Sequence, residues 1–204
     1  MSNLFSHCEF LISAYKTSQL PPDEGMEIAF AGRSNSGKST TINALTNHKG
    51  LAKVSKTPGR TQLFNCFQFQ PNMRLVDLPG YGYAKVPAKM KKHWDKEIDS
   101  YLMNRQSLIG VVIIMDIRHP MKKFDEQMLT WAHQSGLHSH VLLNKADKLN
   151  NNDIKKTLMQ VNQQIKQYSQ STTCQVFSAL RRQGTAELSQ ILTPWFTASE
   201  NEHP

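Results

Sequence analysis

Residues 32–39 constrain this chain more than any other stretch, because they read Gly-Arg-Ser-Asn-Ser-Gly-Lys-Ser. They match the pattern G-x-x-x-x-G-K-[ST], whose glycines let the backbone curl until its N–H groups converge on a phosphate. The apolar run Met26–Ala31 predicts a buried strand before this loop, and Thr40–Leu45 predicts a helix after it. Because a helix N-terminus attracts anions, this order of elements favours a phosphate-binding loop over a chance glycine-rich turn.

Two side chains of this loop are expected to have distinct roles. Lys38 should reach the β- and γ-phosphates of a nucleotide, and the Ser39 hydroxyl should bind Mg²⁺. Backbone N–H groups along the loop would supply the remaining contacts. The residues expected to contact the phosphates are Gly32, Arg33, Ser34, Asn35, Ser36, Gly37, Lys38, Ser39 and Thr40.

Length and composition bound the class of protein. The 204 residues suit one domain with a full core. Their hydrophobic fraction of 39% and charged fraction of 20% are typical of a soluble globular protein, and no apolar run approaches the ~20 residues of a membrane helix. Three widely spaced cysteines indicate reduced thiols and favour the cytoplasm. The net charge of +8 suits a polyanionic partner such as nucleic acid or a ribosome, although a merely soluble basic protein fits as well.

Strand-like and helix-like segments alternate through residues 26–197, which predicts an α/β fold: a mostly parallel sheet with helices on both faces. Residues 1–25 are interpreted as an N-terminal extension packed on this domain, and residues 198–204 as a flexible tail. Pro71 and Asn72 predict a tight turn between two strands of a hairpin. The further predicted strands are Leu63–Phe69, Met73–Val76, Leu108–Met115, His140–Leu143 and Cys174–Phe177.

Residues 77–80 read Asp-Leu-Pro-Gly and follow one of these strands. A carboxylate at a strand end can hold Mg²⁺ through water, and the glycine N–H can contact a γ-phosphate. The D-x-x-G pattern alone is a weak indication of a nucleotide site, and it is a stronger one downstream of a phosphate loop. The residues expected at the site are Asp77, Leu78, Pro79 and Gly80.

Residues 144–147 read Asn-Lys-Ala-Asp, which matches the N-K-x-D motif that reads guanine. Guanine presents two donors, N1–H and N2–H₂, on one edge, and the acceptor-only carboxylate of Asp147 can receive both. Adenine lacks this donor pair, so the motif favours GTP over ATP. Asn144 is expected to tie this loop to the phosphate loop, and the Lys145 stem to pack along the base.

Ser178, Ala179 and Leu180 follow the last predicted strand, where the S-A-x box of GTPases offers a backbone N–H to guanine O6. The residues expected to contact the base and its surroundings are Asn144, Lys145, Ala146, Asp147, Phe177, Ser178 and Ala179.

The polar segment Lys56–Thr61 lies between the first helix and the next strand, where a GTPase has its first switch. A threonine there can bind Mg²⁺ when a γ-phosphate is present. Thr61 is the favoured ligand because it borders the strand, and Thr57 is the alternative. The expected metal ligands are therefore Ser39, Thr61 and Asp77. The residues of this segment expected to contact nucleotide are Gly59, Arg60, Thr61, Gln62 and Leu63.

The ordered segments GRSNSGKS, TPGRTQ, DLPGYGYA, NKAD and SAL resemble the EngB family of small bacterial GTPases, in the TRAFAC class. The resemblance covers nearly the whole chain, residues 9–197. It implies a six-stranded, three-layer Ras-like fold that binds GTP or GDP with Mg²⁺. It further implies a role in assembly of the large ribosomal subunit, with ribosomal RNA as a partner, and a link to septation in cell division.

The hydrolytic machinery departs from the Ras-like pattern. Those enzymes place a glutamine directly after D-x-x-G to orient the attacking water, and here that position is Tyr81. We therefore expect slow intrinsic hydrolysis, with a partner or an ion supplying the missing stabilisation. The resemblance implies K⁺ bound through Asn35, although Asn35 could equally serve only to stabilise the loop. The catalytic candidates are Asn35, Lys38 and Thr61, with Arg33 and Arg60 as less favoured cations.

Residues 80–83, Gly-Tyr-Gly-Tyr, are interpreted as a flexible second switch. A surface that contacts ribosomal RNA is predicted just after it, at Lys85, Lys89, Lys91 and Lys92, although a solvated helix face is the usual interpretation of such a run of charges. Arg181 and Arg182 form a second, less favoured candidate. Two other functional classes stay open: a P-loop ATPase or nucleotide kinase, and a GTP-dependent binding module in septation whose hydrolysis is incidental. A monomer is expected.

Overall fold

The computed structural model describes residues 3–53, 63–81 and 88–198, with the side chains of residues 88–95 and 198 outside that description. Within these ranges the chain forms a seven-stranded sheet and five α-helices. The strands are β1 (Glu9–Ala14), β2 (Met26–Gly32), β3 (Phe64–Gln70), β4 (Met73–Asp77), β5 (Leu108–Asp116), β6 (His138–Asn144) and β7 (Thr173–Val176). The helices are α1 (Lys38–Leu45), α2 (Ala88–Asn104), α3 (Lys123–Gln134), α4 (Asn151–Ile165) and α5 (Thr185–Ala198).

The sheet has the strand order β1-β3-β4-β2-β5-β6-β7. The pairs β2–β4, β2–β5, β5–β6 and β6–β7 are parallel, whereas β3 pairs antiparallel with β1 and β4. Parallel strands joined by helices are covered on both faces, which explains why β5 is an almost unbroken apolar run with Val111–Ile114 fully buried. The predicted α/β class, a mostly parallel sheet, is confirmed.

Helices cover both faces of the sheet, as a three-layer fold requires. On one face α2, α3 and α4 pack through buried residues such as Tyr101, Met128 and Val161. On the other face α1 and α5 pack through residues such as Leu45 and Leu192. None of the helices in the described ranges has the length and apolar character that crossing a bilayer requires.

The sheet has seven strands rather than the six that the resemblance implies. The additional strand is β1, which the sequence placed within an N-terminal extension and which pairs with β3 from Glu9↔Gln68 to Ala14↔Phe64. A shift of register between Phe10 and Ile12 interrupts the strand, and only Ala14 is fully buried. Because the irregularity breaks the alternation of buried and exposed residues, the sequence pattern of a strand is lost there.

β3 and β4 form the predicted hairpin through the turn at Pro71 and Asn72. Asn72 has a φ angle of +58°, in the left-handed region that asparagine tolerates better than most residues. The predicted turn is confirmed, and it places β4 between β3 and β2.

A buried ionic cluster lies at the amino ends of the parallel strands. Glu27 is fully buried and accepts hydrogen bonds from Arg74 Nε at 2.7 Å, Arg105 Nη2 at 2.7 Å and Tyr101 Oη at 3.0 Å. The two guanidinium groups also donate to the Pro22 carbonyl, at 3.3 Å in each case. This cluster attaches the C-terminal end of α2 and the segment before β2 to the sheet.

The opposite edge of the sheet positions the candidate site. The parallel strands β2, β4, β5 and β6 all end there, at Gly32, Asp77, Asp116 and Asn144 respectively. Ligands of open α/β sheets bind beyond the carboxyl ends of the strands. The predicted site residues are therefore brought to one edge by the parallel topology alone.

Candidate functional site

The loop between β2 and α1 turns sharply at Asn35 and Gly37, whose φ angles are +63° and +97°. Glycine is required at position 37 for a second reason, since an added Cβ would lie 2.2 Å from Asn144 Nδ2. At Gly32 an added Cβ would lie 2.6 Å from Ser36 Oγ. Both glycines of the G-x-x-x-x-G-K-[ST] pattern therefore permit close approach of the loop to its surroundings.

The first half of the loop is held against the segment that follows β4. The Ser34 N–H donates to the Tyr81 carbonyl at 2.9 Å, and the Tyr81 N–H donates to the Gly32 carbonyl at 3.4 Å. These bonds flank the bridge between Arg33 and Tyr81. The Ser36 N–H then donates to the Arg33 carbonyl at 3.0 Å, which closes a tight turn.

Lys38 and Ser39 begin α1 and face the end of β4. The Lys38 ammonium forms a buried ion pair with Asp77, and Ser39 Oγ lies 3.3 Å from the second oxygen of that carboxylate. The N-cap is Gly37, which has no side chain to bond the leading N–H groups, and the half-buried Thr40 completes the first turn. Because those N–H groups have no partner within the helix, this end of α1 suits an anion.

The Ser36 hydroxyl in this loop is buried without a hydrogen-bond partner among the described residues. Ser36 is 3% exposed, and its Oγ forms no hydrogen bond with any described residue. An unpaired buried hydroxyl costs roughly 1–3 kcal/mol. A ligand that bonds this hydroxyl would remove that cost.

The donors beside α1 suit Mg²⁺. The Ser39 hydroxyl and the Asp77 carboxylate are hard oxygen donors, and Mg²⁺ in nucleotide sites takes one or two protein ligands beside water and phosphate. The described part of the chain contains no cluster of three or more His, Cys, Asp or Glu side chains that could hold a metal. Because Ser39 and Asp77 supply two such donors side by side, they fit a Mg²⁺ that takes its other ligands from water and phosphate.

Asn144 joins three loops at the other end of the site. Its Nδ2 donates to the Ser36 carbonyl at 2.8 Å, which is the predicted connection to the phosphate loop. Its Oδ1 accepts from the Lys145 N–H at 2.8 Å and from the Ala179 N–H at 3.1 Å. The side chain is 2% exposed, so its contribution is to hold backbone in place.

Lys145 spans the gap between the phosphate loop and the end of β5. Its backbone has a φ angle of +66°, and its ammonium donates to the Asn35 carbonyl and to Asp116 Oδ2, the latter at 3.0 Å. The residue is half-buried. Its side chain connects the phosphate loop to the end of β5, beyond the carboxyl ends of the strands.

Asp147 lies in a short 3-10 turn after Asn144. Its Oδ1 accepts from the Ser178 hydroxyl at 2.6 Å, and its Oδ2 lies 3.5 Å from Lys148 Nζ. The hydrogen bond from Ser178 holds the pKa of Asp147 below its ordinary value, against the effect of burial. The carboxylate is thus ionised at neutral pH and able to accept from donors of a ligand.

Ala146 and Phe177 hold the two base-side loops together through their backbones. The Ala146 N–H donates to the Phe177 carbonyl at 3.1 Å, and both side chains are buried in the core. Neither side chain faces the site. In the second loop the Ser178 hydroxyl bonds Asp147, and the half-buried Ala179 follows it in the chain.

Sequence reasoning missed Asp116 and Arg118. Asp116 Oδ1 and Oδ2 accept from Arg118 Nε at 2.9 Å and Nη2 at 2.7 Å, and Oδ2 also accepts from Lys145. Burial tends to raise the pKa of Asp116, but the hydrogen bonds from Arg118 and Lys145 outweigh it and hold the pKa well below its usual range. The strand-end position of Asp116, the signal used for Asp77, could have identified it.

Sequence reasoning also missed Asp125, which bonds Tyr81. The Tyr81 hydroxyl donates to Asp125 Oδ1 at 3.0 Å, and its ring lies 5.9 Å from the Phe124 ring. Asp125 in turn accepts from the Lys122 N–H at 3.0 Å at the start of α3. Burial raises the pKa of both Tyr81 and Asp125. The phenol is thus turned toward α3 and engaged there.

The remaining predicted residues fall into two groups. Leu78, Pro79 and Gly80 are buried beside the phosphate loop, with the Leu78 N–H bonded to the Phe30 carbonyl at 3.0 Å, and Leu63 is half-buried before β3. The residues that lie outside the described ranges are Thr57, Gly59, Arg60, Thr61, Gln62 and Lys85, together with the side chains of Lys89, Lys91 and Lys92.

A phosphate loop, a strand-end carboxylate and an Asn-Lys-x-Asp loop on a mostly parallel sheet define a domain of the P-loop GTPase class. Comparison with known families agrees, since the model described as "50S ribosome-binding GTPase" matches residues 27–145, more than half of the chain.

Curated relatives give a narrower assignment. A "Probable GTP-binding protein EngB" of Coxiella burnetii (strain RSA 331 / Henzerling II) is 50% identical over 192 residues, which cover 94% of each chain. The protein of the same name from strain CbuK_Q154 is 50% identical over 194 residues, or 95% of each chain. The chain belongs to the EngB family.

Solved structures support the fold. A crystal structure of a probable GTP-binding protein engB matches with a TM-score of 0.68 and 21% identity, covering 84% of this chain and 99% of that one. Translation elongation factor SelB from Methanococcus maripaludis, in complex with the GTP analogue GppNHp, matches with a TM-score of 0.61 and 16% identity, covering 85% of this chain and 34% of that one. At these identities the likeness concerns the fold.

Proposed function

We propose that this protein is a cytoplasmic GTP-binding switch that hydrolyses GTP slowly and acts in assembly of the large ribosomal subunit. The observation that carries the proposal is the geometry around Asn144. This buried amide holds the phosphate loop and the Ala179 loop in one place, beside the ionised Asp147. That arrangement places a carboxylate acceptor at the base side of the site, and such an acceptor suits the paired N1–H and N2–H₂ donors of guanine.

The phosphates would lie against the loop from Gly32 to Thr40. Lys38 and the N-terminus of α1 supply positive charge, and the Ser36 hydroxyl supplies a donor that no described residue engages. Ser39 and Asp77 would hold Mg²⁺ together with Thr61. When bound, this ion neutralises the charge that develops on the phosphates during transfer. Lys38 must then divide its ammonium between Asp77 and phosphate oxygens.

The base would lie along the Lys145 stem with its donor edge toward Asp147. Ser178 bonds Asp147 Oδ1 and Lys148 lies 3.5 Å from Oδ2, and since each carboxylate oxygen has two lone pairs, each keeps one for a ligand donor. The Ala179 segment would face guanine O6. Adenine presents neither the paired donors nor this acceptor, which is why we propose GTP rather than ATP.

Slow hydrolysis follows from the position of Tyr81. Its hydroxyl is engaged by Asp125 on α3, so it does not replace the water-orienting glutamine of Ras-like enzymes. We extend the proposal to K⁺, bound beside the phosphates through the exposed Asn35, as the missing cation. Hydrolysis should be at least several-fold faster in KCl than in NaCl at equal ionic strength, and equal rates would remove the K⁺ step.

Two observations support a ribosomal partner: the net charge of the chain and the description of the family model that it matches. The chain carries a net charge of +8, and its family is described as 50S ribosome-binding. The exposed cations around the base side of the site are Arg118, Lys148, Arg181 and Arg182. A basic surface beside a nucleotide site can bind RNA phosphates in one nucleotide state more than in the other. The link to septation stays a prediction of the resemblance.

Co-sedimentation with large ribosomal subunits and their assembly intermediates tests this proposal. The arms are GDP, a non-hydrolysable GTP analogue and an ATP analogue, each at two salt concentrations. Pelleting should be strongest with the GTP analogue and should weaken as salt rises. Equal pelleting in all three arms, or none, would remove the subunit as a nucleotide-controlled partner while leaving GTP binding intact.

A further inference from the structure

We propose that Asp116 is a positioning residue for the nucleobase: it holds the Lys145 side chain in place as a wall of the base site, and through it sets the affinity for guanine nucleotides. The proposal rests on the nucleotide-binding part of the proposed function. It assigns a role to a residue outside the phosphate loop and outside the Asn-Lys-Ala-Asp sequence.

The contacts of Lys145 come from two directions. At one side its ammonium donates to the Asn35 carbonyl, which belongs to the phosphate loop. At the other side it donates to Asp116 Oδ2 at 3.0 Å. A lysine side chain has four freely rotating carbons, and a single anchor leaves most of that freedom. Two acceptors hold the ammonium in place, and because the backbone holds the other end, the stem between Cα and Nζ keeps little freedom.

The backbone of Lys145 shows that this position is strongly determined. Its φ angle of +66° lies in the left-handed region, which a non-glycine residue occupies only when its surroundings compensate for the strain. The compensation includes the bond from its N–H to Asn144 Oδ1 at 2.8 Å. The Asp116 carboxylate completes this set of contacts from the neighbouring strand, where Asp116 lies directly opposite Asn144.

Arg118 keeps the carboxylate oriented. Its guanidinium forms two hydrogen bonds with Asp116, at 2.9 Å and 2.7 Å, so the plane of the carboxylate is fixed. Arg118 itself is exposed and close enough to Asp147 to interact with its charge. The row Arg118–Asp116–Lys145 therefore runs along the rim of the site from the base end to the phosphate loop.

This geometry predicts a division between binding and chemistry. Asp116 acts through Lys145 on the base, whereas hydrolysis occurs at the γ-phosphate, which Lys38, Ser39 and Asp77 serve. Loss of the Asp116 charge should therefore raise KM for GTP about tenfold with kcat within twofold of the parent. A general loss of structure would lower kcat or the fraction of active protein instead.

The test compares Asp116→Asn, Asp116→Glu and the control Asp153→Asn in the full chain. Asp153 is an exposed carboxylate whose hydrogen bonds stay within the first turn of α4, so its substitution removes the same charge away from the site. Steady-state hydrolysis gives KM and kcat, and mant-GDP fluorescence gives Kd. We expect Asp116→Asn to weaken GDP about tenfold, Asp116→Glu to recover most of this loss, and Asp153→Asn to match the parent.

A double substitution completes the test. If Asp116 acts through Lys145, then Asp116→Asn should have little further effect on Kd in a Lys145→Gln background. Full additivity, or a parental Kd and KM in Asp116→Asn, would overturn the proposal. Asp147→Asn, measured in parallel, distinguishes failure of the Asp116 proposal from failure of the proposed nucleotide site. If Asp147→Asn also leaves GDP binding unchanged, the nucleotide site itself fails.

Discussion

The two ends of the parallel sheet both bury charged groups, but they complete them differently. At the amino ends, Glu27 is bonded by Arg74, Arg105 and Tyr101, all from the chain itself. At the carboxyl ends, Lys38 and Asp77 are paired while the hydroxyl of Ser36 has no partner among the described residues. Removing one member of a buried charge cluster that the chain completes by itself strongly destabilises the fold, whereas incompletely engaged groups are available to a ligand.

The same contrast exists within the site. The base side is cross-linked by side chains that bond the backbones of other loops, as Asn144 does with Ser36 and Ala179. The phosphate side relies on a loop that turns through the left-handed region, with φ angles of +63° and +97° at Asn35 and Gly37. The base-binding side is held rigidly, whereas the phosphate loop completes its hydrogen bonds with the ligand. A nucleotide switch requires this arrangement.

The largest predicted change is a loss of stability from a substitution at the amino ends of the parallel strands. Glu27→Gln leaves the buried Arg74 guanidinium without a counter-charge and leaves Arg105 only Asp23, 3.4 Å away, so the free energy of unfolding should fall by about 4 kcal/mol. Urea denaturation measures the fall, and Glu9→Gln, an exposed glutamate at the start of β1, is the matched control. GDP affinity of the folded fraction should stay parental. A large loss of GDP affinity with little loss of stability would contradict the assignment of the amino ends to stability and of the carboxyl ends to ligand binding.

Lys38→Ala is the corresponding change at the carboxyl end. It removes the ammonium that we assign to the phosphates, and GDP affinity should fall about a hundredfold, or ~2.7 kcal/mol. Isothermal titration calorimetry gives this value, with Lys123→Ala, an exposed lysine at the start of α3, as the control. Unchanged GDP binding in the Lys38 variant would mean that the phosphates do not lie on this loop.

His140, a buried group bonded by other side chains of the sheet, predicts how the free energy of unfolding depends on pH. It is fully buried in β6, bonded to Thr173 at 2.7 Å and Gln175 at 3.0 Å, and burial lowers its pKa to about 4. The unfolded chain, with a histidine pKa near 6.5, therefore binds the proton first as pH falls. Stability should drop by about 2 kcal/mol between pH 7 and pH 5 from this residue alone.

Urea unfolding of the parent and of His140→Gln at both pH values measures that contribution as the difference between the two pH dependences. Asp125, whose pKa burial raises, works in the opposite sense in both proteins and cancels in the comparison. Identical pH dependences would show that His140 takes up its proton equally in the folded and unfolded chains.

The smallest effect concerns Tyr81. Tyr81→Phe removes the hydrogen bond to Asp125 and should lower stability by about 1 kcal/mol. Because the hydroxyl faces α3 rather than the phosphates, kcat for GTP hydrolysis should stay within twofold. Thermal unfolding and single-turnover hydrolysis measure the two quantities. A tenfold fall in kcat with unchanged stability would make the phenol part of the chemistry.

Local patterns carried most of what the sequence could predict. The phosphate loop and the Asn-Lys-Ala-Asp loop are contiguous, and parallel strands bring their ends to one edge, so even the bond between Asn144 and Ser36 could be anticipated. The bonds of Asp116 to Lys145 and of Asp125 to Tyr81 could not, because these partners come from other segments of the chain, although the strand-end position of Asp116 marks it as a candidate. β1 was missed as a strand because its irregular register hides the period of two.

Nucleotide preference of Asp147→Asn tests the central assignment most directly. Calorimetric titration of the parent and the variant with GDP, XDP and ADP, at matched Mg²⁺, gives the three affinities. The parent should prefer GDP, and the variant should prefer XDP, because an amide in place of the carboxylate can donate to the xanthine oxygen. A parent that binds ADP as tightly as GDP, or a variant whose preference is unchanged, would contradict guanine recognition at this edge of the sheet.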